Sequence, residues 1–266
     1  MGQPAALGAT FCSIEKGVRP QQRNVSLSRS SGAPWSSGSL KKRVDSVQRF
    51  DAFAELSASD CATIVADAGE MQVHRHSVLF VQGTPATQVA LLLSGCLKVT
   101  QGSSHGQEVI LRLNGPGDLL GKIVSSAHGS HLHTTRAVQT SAVLVWEMES
   151  FEALTERFPT LRRNIANILE RQLTELEIRY REVSTEKVSA RLSNLLVRLV
   201  SQVGRRLEDS VEIALSRREL AQLTGTTLFT VSRLLCQWET LGIVSARREA
   251  VLVHDQAALL ELAREE

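Results

Sequence analysis

The chain is poor in cysteine and aromatic residues. Phe, Trp and Tyr make up 4% of its 266 residues, and its four cysteines (Cys12, Cys61, Cys96, Cys236) lie far apart without a CxxC pair. This spacing argues against a zinc ribbon, a local iron–sulfur loop or a disulfide-stapled domain. The chain also has no apolar run of about 18 residues that could span a membrane, and no apolar N-terminal segment typical of a secretory signal. We therefore expect a reduced, cytoplasmic protein without a membrane partner.

Motifs of common enzyme classes are also absent: there is no P-loop, no GxSxG elbow and no HExxH, so we do not expect an enzyme. The net charge of +2 is unevenly distributed, because residues 1–44 carry a balance of +6 and the remaining 222 residues a balance of −4. Binding to nucleic acid would therefore require a confined basic patch. Residues 1–44 are rich in Ser, Gly and Pro, which predicts a disordered basic tail.

Residues 45–158 predict a β-roll preceded by two short helices, the second capped near Ser57 or Ser59. Short β-prone runs alternate with glycines, which is typical of an antiparallel all-β unit. The predicted strands are Val78–Val81, Val89–Leu93, Cys96–Thr100, Val109–Leu113, Thr134–Val138 and Ala142–Trp146. The glycines at the breaks, where positive φ is expected, are Gly83, Gly95, Gly106, Gly115, Gly117 and Gly121.

Residues 159–185 predict one long helix with an apolar stripe. The stripe advances in steps of four and three residues through Ile165, Leu169, Leu173, Leu176, Tyr180 and Val183, with charged residues at most other positions. Such a stripe requires a partner surface. It could pack on the roll of its own chain, but its length and polar flanks favour a second copy, paired as a homodimer with twofold symmetry.

Residues 186–266 predict a winged helix-turn-helix. A helix over Val188–Val203 is followed by a β-like run at Val211–Leu215 and by Ser216, which begins a capping box with Glu219. The next helix ends at Gly225, and another runs from near Thr227 to Leu241. Two short strands, Ile243–Ala246 and Ala250–Val253, would form the wing. The fold class is thus α+β.

A helix-turn-helix places its second helix in the major groove of DNA. Arg233 could bond a guanine, Thr227 and Ser232 suit polar contacts, and Phe229 could pack on a thymine methyl group. Arginines at the start of the first helix of the motif and in the wing, including Arg248, would contact phosphates. The candidate DNA-binding residues are Ser216, Arg217, Arg218, Thr226, Thr227, Leu228, Phe229, Thr230, Ser232, Arg233 and Arg247.

This order of parts resembles the CRP/FNR family of bacterial transcription regulators over about residues 46–255. The resemblance is carried by FVQGTPATQVALLLSGCLKVTQ and NGPGDLLG in the roll, SARLSNLL after the long helix, and TVSR in the recognition helix. It implies a cyclic-nucleotide-binding-type roll, a dimer helix, a winged helix-turn-helix that binds a pseudo-palindromic DNA site, and RNA polymerase as a partner. It also implies that Arg233 is the base-reading arginine.

The chain departs from the family at the effector site. Cyclic-AMP-binding members carry a Gly–Glu pair and an Arg–Ser pair on the roll, where this chain has Gly121–Lys122 and, near the second pair, His131–Leu132. The purine-facing Thr–Ser pair is replaced by Leu176–Glu177. These six residues are the candidate effector pocket. Losing the glutamate and the arginine removes charge-assisted bonds to the nucleotide, so cyclic AMP is not expected to bind in the usual pose.

Other effectors remain open at this stage. Cys12 stands alone in the tail, so the iron–sulfur cluster of the FNR-type branch is not expected. His131 and His133, with His128 nearby, could hold a metal or haem, and His74 and His76 have the same spacing, although surface histidines are the simpler interpretation. A small anion paired with Lys122, or no effector, is also possible. The alternative function is a ligand- or metal/haem-responsive regulatory subunit that acts on a protein partner.

Overall fold

The computed structural model describes residues 37–102, 108–123 and 129–264. The described chain begins with helices α1 (Ser37–Val47) and α2 (Ala58–Ala66), which are separated by a 3₁₀ turn at Asp51–Phe53. Ser57 caps α2, as predicted, because its side chain accepts a hydrogen bond from the backbone N–H of Asp60.

Helix α1 corrects the predicted end of the tail at residue 44. Val44 and Val47 lie on one face of α1 and are buried in the core of the roll, which explains why this segment is ordered. Arg43, predicted as tail charge, is also buried, and it donates a 2.9 Å hydrogen bond to the carboxylate of Glu70. The predicted tail over residues 1–36 lies outside the described residues.

Within the described part of the roll, eight antiparallel strands form two four-stranded sheets, ordered β1-β8-β3-β6 and β2-β7-β4-β5. The strands are β1 (Gly69–Val73), β2 (Val78–Phe80), β3 (Gln88–Ser94), β4 (Leu97–Gly102), β5 (Glu108–Asn114), β6 (Leu119–Gly121), β7 (Thr134–Ala137) and β8 (Ser141–Glu147). All six predicted strands are confirmed to within two residues at either end. The sequence missed β1, whose residues are mostly polar or exposed, and β6, which is only three residues long.

The inner faces of the two sheets meet in one core, in which Leu92 and Leu97 are buried. Leu91 and Trp146 lie on the opposite face of the β1-β8-β3-β6 sheet, where they are buried with the apolar faces of α1 and α2. The indole N–H of Trp146 donates a 2.9 Å hydrogen bond to the carbonyl of Ile64, which fixes α2 on β8. A buried indole requires such a partner.

Glycine is needed where the roll turns most sharply. Gly121 has φ +100°, and a Cβ at this position would come within 2.9 Å of the carbonyl oxygen of Gln88. Positive φ is confirmed for Gly83, Gly95, Gly117 and Gly121. Gly115 does not have positive φ, so that part of the prediction is wrong, and Gly106 lies outside the described residues.

Helix α3 (Met148–Arg157) leads from the roll into α4 (Pro159–Thr185), which spans the range predicted for the long helix. The two halves of α4 have different environments. In the first half, Ile165 and Leu169 pack on the core of their own roll, and the Asn164 side chain donates a 2.7 Å hydrogen bond to the carbonyl of Ala54. The prediction that the whole stripe requires a second copy is therefore wrong for its first two members.

The C-terminal domain contains four helices and a small antiparallel sheet, ordered β11-β12-β10-β9. The elements are α5 (Val188–Gln202), β9 (Arg205–Arg206), β10 (Val211–Ile213), α6 (Arg217–Thr224), α7 (Leu228–Thr240), β11 (Val244–Ala246), β12 (Val251–Val253) and α8 (Gln256–Leu262). The predicted helix, helix-turn-helix and wing are confirmed. The sequence missed β9 and α8. No helix of the described residues is long and apolar enough to span a membrane.

The C-terminal domain packs against the outer face of its own roll. Ile110 and Cys96 of the roll share one core with apolar residues of α5, α6 and α7. Two ion pairs cross this boundary. Lys98 and Glu219, both mostly buried, are 2.8 Å apart, whereas Arg75 and Glu249 form a 2.6 Å pair at the surface.

The buried pair is predicted to stabilise the domain contact more than the exposed pair. Glu219→Gln is expected to lower the free energy of unfolding by about 1–3 kcal/mol at neutral pH, because it leaves the Lys98 ammonium buried without its counter-charge. Glu249→Gln is the matched control and is expected to cost less than about 1 kcal/mol, since an exposed pair is solvated. Urea denaturation measures both, and equal costs would contradict the prediction.

The stability difference between wild type and Glu219→Gln is predicted to depend on pH. Burial works to raise the pKa of Glu219, but hydrogen bonds from Lys98 and Ser216 outweigh it and hold the pKa below its ordinary value. A lowered pKa in the folded state stabilises the protein above the ordinary pKa, and this contribution is lost as the pH falls through the folded-state pKa. The stabilities of wild type and Glu219→Gln should therefore converge in acid.

Candidate functional site

Side-chain caps fix both helices of the helix-turn-helix. The Ser216 hydroxyl accepts a hydrogen bond from the N–H of Glu219, and the Glu219 carboxylate accepts one from the N–H of Ser216 at 2.9 Å, so the predicted capping box is confirmed. Gly225 ends α6 with φ 62° and ψ 41°. Thr227 then caps α7, because its hydroxyl accepts from the N–H of Thr230. The turn therefore sets the direction in which α7 leaves α6.

The inner face of the motif is apolar and closely packed. Leu220, Leu223 and Val231 are buried between the two helices, as predicted, and Ala221 is buried where the helices approach each other. Burying this face determines which side chains of α7 point outward.

The outward face of α7 carries the predicted base-reading residues. Leu228 is 46% exposed, Phe229 is 77% exposed, and Arg233 is also exposed. The large exposure of Phe229 excludes the alternative that it is tucked against the wing. Thr227 is exposed, and Thr226, Thr230 and Ser232 are half-buried.

The predicted phosphate-contacting residues differ in accessibility. Arg218 at the start of α6 and Arg247 in the wing are exposed. Arg217 is half-buried, and its Nε atom is buried without a hydrogen-bond partner among the described residues. Ser216 is engaged in the capping box, and its carbonyl accepts a 3.0 Å hydrogen bond from the N–H of Leu220.

A second candidate site is an open pocket of about 230 Å³ between the roll and α4. Four of the six predicted effector residues line it: Gly121, Lys122, His131 and Leu132. Leu176 and Glu177 do not line it, which corrects the prediction. Helix α4 instead reaches the pocket through Leu169 and Gln172, and Leu176 is 50% exposed about 6 Å further along the helix.

Arg112 of β5 also lines the pocket and was missed by the sequence analysis. Its Nε donates to the side-chain oxygen of Asn114 at 3.3 Å, and its NH1 donates to that of Gln172 at 2.5 Å. Burial lowers the pKa of Arg112. An arginine within the apolar run of a predicted strand, VILRLN, was the available signal.

Two histidine side chains, those of His131 and His133, form part of the polar lining of this pocket. The ring of His131 stacks on Phe80 with 4.4 Å between centroids, and burial lowers its pKa. The pKa of His133 is lowered by burial and by the charge of Arg112. A lowered pKa favours the neutral form of each imidazole, which carries one N–H donor.

The described histidines do not assemble a metal centre. Among the residues that the structure describes, no group of three or more His, Cys, Asp or Glu side chains could hold a metal ion. His128, the remaining candidate ligand, lies outside them. His74 and His76 flank a turn after β1 instead of sharing a strand face, and His76 has φ 68°.

Both domains of the chain match the models of known protein families. Residues 70–158 match the family model of the cyclic nucleotide-binding domain, and residues 190–262 match that of the Crp-like helix-turn-helix domain. A cyclic AMP receptor protein of Thermus thermophilus is 31% identical over 186 residues, which cover 70% of this chain and 83% of the relative. The chain belongs to the CRP/FNR family of transcription regulators.

Other members of the CRP/FNR family support the same assignment. The transcriptional activator protein anr of Pseudomonas aeruginosa is 27% identical over 187 residues, covering 70% of this chain and 76% of the relative. The structure of FixK2 from Bradyrhizobium japonicum superposes with a TM-score of 0.64 at 22% identity, covering 73% of this chain and 96% of that one. The fold is thus that of CRP/FNR regulators.

The exposed Phe229 generates a prediction about the DNA half-site. A phenylalanine cannot accept a hydrogen bond from cytosine, but it can pack on a thymine methyl group. Phe229→Glu is therefore expected to change the preferred base pair at one position of each half-site from T·A to C·G. Selection of sites from a randomised DNA pool measures this, with Cys236→Ser on the same helix as the control. An unchanged consensus for Phe229→Glu would contradict the assignment.

Proposed function

We propose that this transcription regulator acts as a homodimer that inserts α7 of each protomer into successive major grooves of a pseudo-palindromic DNA site. The observation that carries the proposal is the capped turn before α7, which leaves the first half of that helix exposed while its other face is buried. Recognition helices read base edges with such N-terminal halves. Because its target is DNA and its relatives are transcription regulators, we expect the protein to act in the cytoplasm and to contact RNA polymerase.

The side chains divide into base-reading and phosphate-contacting groups. Arg233 would bond a guanine through its two parallel N–H groups, and Leu228 and Phe229 would make apolar contacts in the groove. Arg217, Arg218 and Arg247 would pair with phosphates, with Arg248 beside them in the wing. The chain outside residues 1–44 has a net charge of −4, so this local patch must provide the attraction to DNA.

Arg233 provides the test of DNA recognition. Arg233→Ala is expected to weaken binding to the selected site about 10- to 100-fold, because a bidentate arginine–guanine contact discriminates bases by roughly 1–3 kcal/mol. Binding to unrelated DNA should change much less. Fluorescence anisotropy at fixed salt measures both, and Arg157→Ala, at the exposed end of α3, is the control. Equal losses on both DNAs would show that Arg233 contacts phosphate only.

The second half of α4 supports the dimer. Leu173, Leu176, Tyr180 and Val183 are 57%, 50%, 75% and 47% exposed, although they continue the apolar stripe. Four exposed apolar side chains on one helix face form a surface that a second copy can bury. A twofold pair of these helices would also present the two copies of α7 side by side.

Leu176 provides the test of the dimer. Leu176→Asp is expected to convert the dimer to monomer at micromolar concentration, because a carboxylate would be buried in an apolar seam. Thr174→Asp adds the same charge to the same helix, away from the stripe, and is expected to remain dimeric. Sedimentation equilibrium measures both, and a dimeric Leu176→Asp variant would exclude this helix as the interface.

We also propose that the effector is not cyclic AMP. The name of the Thermus thermophilus relative refers to cyclic AMP, but in this chain Lys122 stands where cyclic-AMP-binding members have the ribose-binding glutamate. His131 stands near the position of the phosphate-binding arginine, and it is stacked on Phe80. Both charge-assisted contacts to the nucleotide are therefore missing.

A further inference from the structure

The first turn of the recognition helix α7 presents apolar side chains at its surface. Leu228 and Phe229 are 46% and 77% exposed, and neither belongs to the apolar core of the C-terminal domain. Val231, two residues later, is fully buried in that core and fixes how α7 is oriented. The first turn therefore directs an apolar surface toward solvent at the place where a recognition helix meets base edges.

The hydroxyl groups of the same turn are used within the protein. Thr227 caps α7 by accepting a hydrogen bond from the N–H of Thr230, and the two threonine hydroxyls are hydrogen-bonded to each other at 2.9 Å. Residues 226–233 contain no carboxylate and no side-chain amide, the groups that accept from cytosine or pair with adenine. The exposed part of this turn therefore offers apolar contact and shape.

The apolar group that base pairs present in the major groove is the C5 methyl group of thymine. 5-Methylcytosine carries the same methyl group at the same ring position, whereas cytosine and uracil lack it. Arg233 lies four residues after Phe229, so the two side chains share one face of α7, about 6 Å apart along the helix axis. Phe229 can therefore reach a pyrimidine close to the guanine that Arg233 would bond.

We propose that Phe229 recognises the C5 methyl group of a pyrimidine and not thymine as such, so that 5-methylcytosine can replace thymine at this position of the half-site. The proposal rests on the function proposed above, because it names a feature of the DNA that the same helix reads. The phenyl ring forms no hydrogen bond with the C4 oxygen of thymine or the C4 amino group of methylcytosine, so it does not distinguish the two bases. Binding then responds to the methylation state of the DNA as well as to its sequence.

The size of the effect follows from burying one methyl group in each half-site. Such burial changes affinity about fourfold. Removing the methyl group from both half-sites of a dimer's target is therefore expected to lower affinity about 15-fold. The contact thus modulates binding to a site that Arg233 still selects.

Fluorescence anisotropy with base-substituted DNA tests the proposal. Uracil replaces each thymine of the selected site in turn, in both half-sites, which removes the methyl group and leaves the hydrogen-bonding groups of the base pair in place. One symmetric pair of positions is expected to lose about 15-fold in affinity. Cytosine and 5-methylcytosine are then compared at that pair, and methylation is expected to strengthen binding by a similar factor. Uracil outside the two half-sites is the DNA control and should have no effect.

Protein variants assign the effect to Phe229. In Phe229→Ala, the affinities for thymine and uracil should become equal, as should those for methylated and unmethylated cytosine. Cys236→Ser, on the same helix, is the matched control and should keep both differences. This comparison separates a direct contact from an effect of the methyl group on DNA shape, because a shape effect would persist in Phe229→Ala.

Three outcomes would overturn the proposal: equal affinities for thymine and uracil at every position, a difference that persists in Phe229→Ala, or a thymine preference that 5-methylcytosine does not reproduce. Thermal unfolding verifies that Phe229→Ala is folded. If that variant binds DNA too weakly to measure, Phe229→Leu replaces it and should show a reduced difference. Failure of the proposed function looks different, because the wild type would then prefer no DNA site and Arg233→Ala would cause no loss.

Discussion

One guanidinium group connects the roll, the long helix α4 and the C-terminal domain. Arg179 lies in α4, and its side chain donates hydrogen bonds to the backbone carbonyls of Ile110 and Leu111 in the roll and of Leu223 in the C-terminal domain. Burial lowers its pKa, and the three carbonyl oxygens satisfy its N–H groups. Backbone carbonyls cannot rotate away as side chains do, so this contact fixes the long helix, β5 and the end of α6 in one arrangement.

The recognition helix combines a rigid inner face with an unusually apolar outer face. Val231, Leu235 and Trp238 are buried and hold the orientation of α7, whereas Phe229 and Leu228 are exposed without a packing role. Arg233 is the one charged side chain in the predicted base-reading set. Sequence discrimination would therefore combine one directional hydrogen-bonding group with shape and methyl contacts, while affinity comes from arginines at the start of α6 and in the wing.

The sequence alone predicted the helices and strands correctly wherever a pattern repeats along the chain. Alternating strands, the stripe of α4 and the capping signal at Ser216 and Glu219 predicted most elements, because periodicity and caps depend on neighbouring residues. The sequence did not predict structure that depends on a single contact between residues far apart in the chain. Arg43 is ordered by Glu70, and Arg112 by Gln172 sixty residues later, and neither pairing leaves a local signal. The short β6 and the polar β1 are likewise defined by their partners in the sheet.

The pocket between the roll and α4 shows how a shared scaffold can carry a different charge arrangement. The glycines that turn the roll are retained, and Gly121 still requires its positive φ. The positive charge, however, lies on β5 at Arg112 instead of at the position near residue 131, where His131 is neutral and stacked on Phe80. A cation on a loop can change its position without disturbing the sheet, whereas a cation on β5 shares its strand with the carbonyls that Arg179 holds. Arg112 therefore follows directly on β5 after the two carbonyls that Arg179 holds, and both arginines connect this strand to α4.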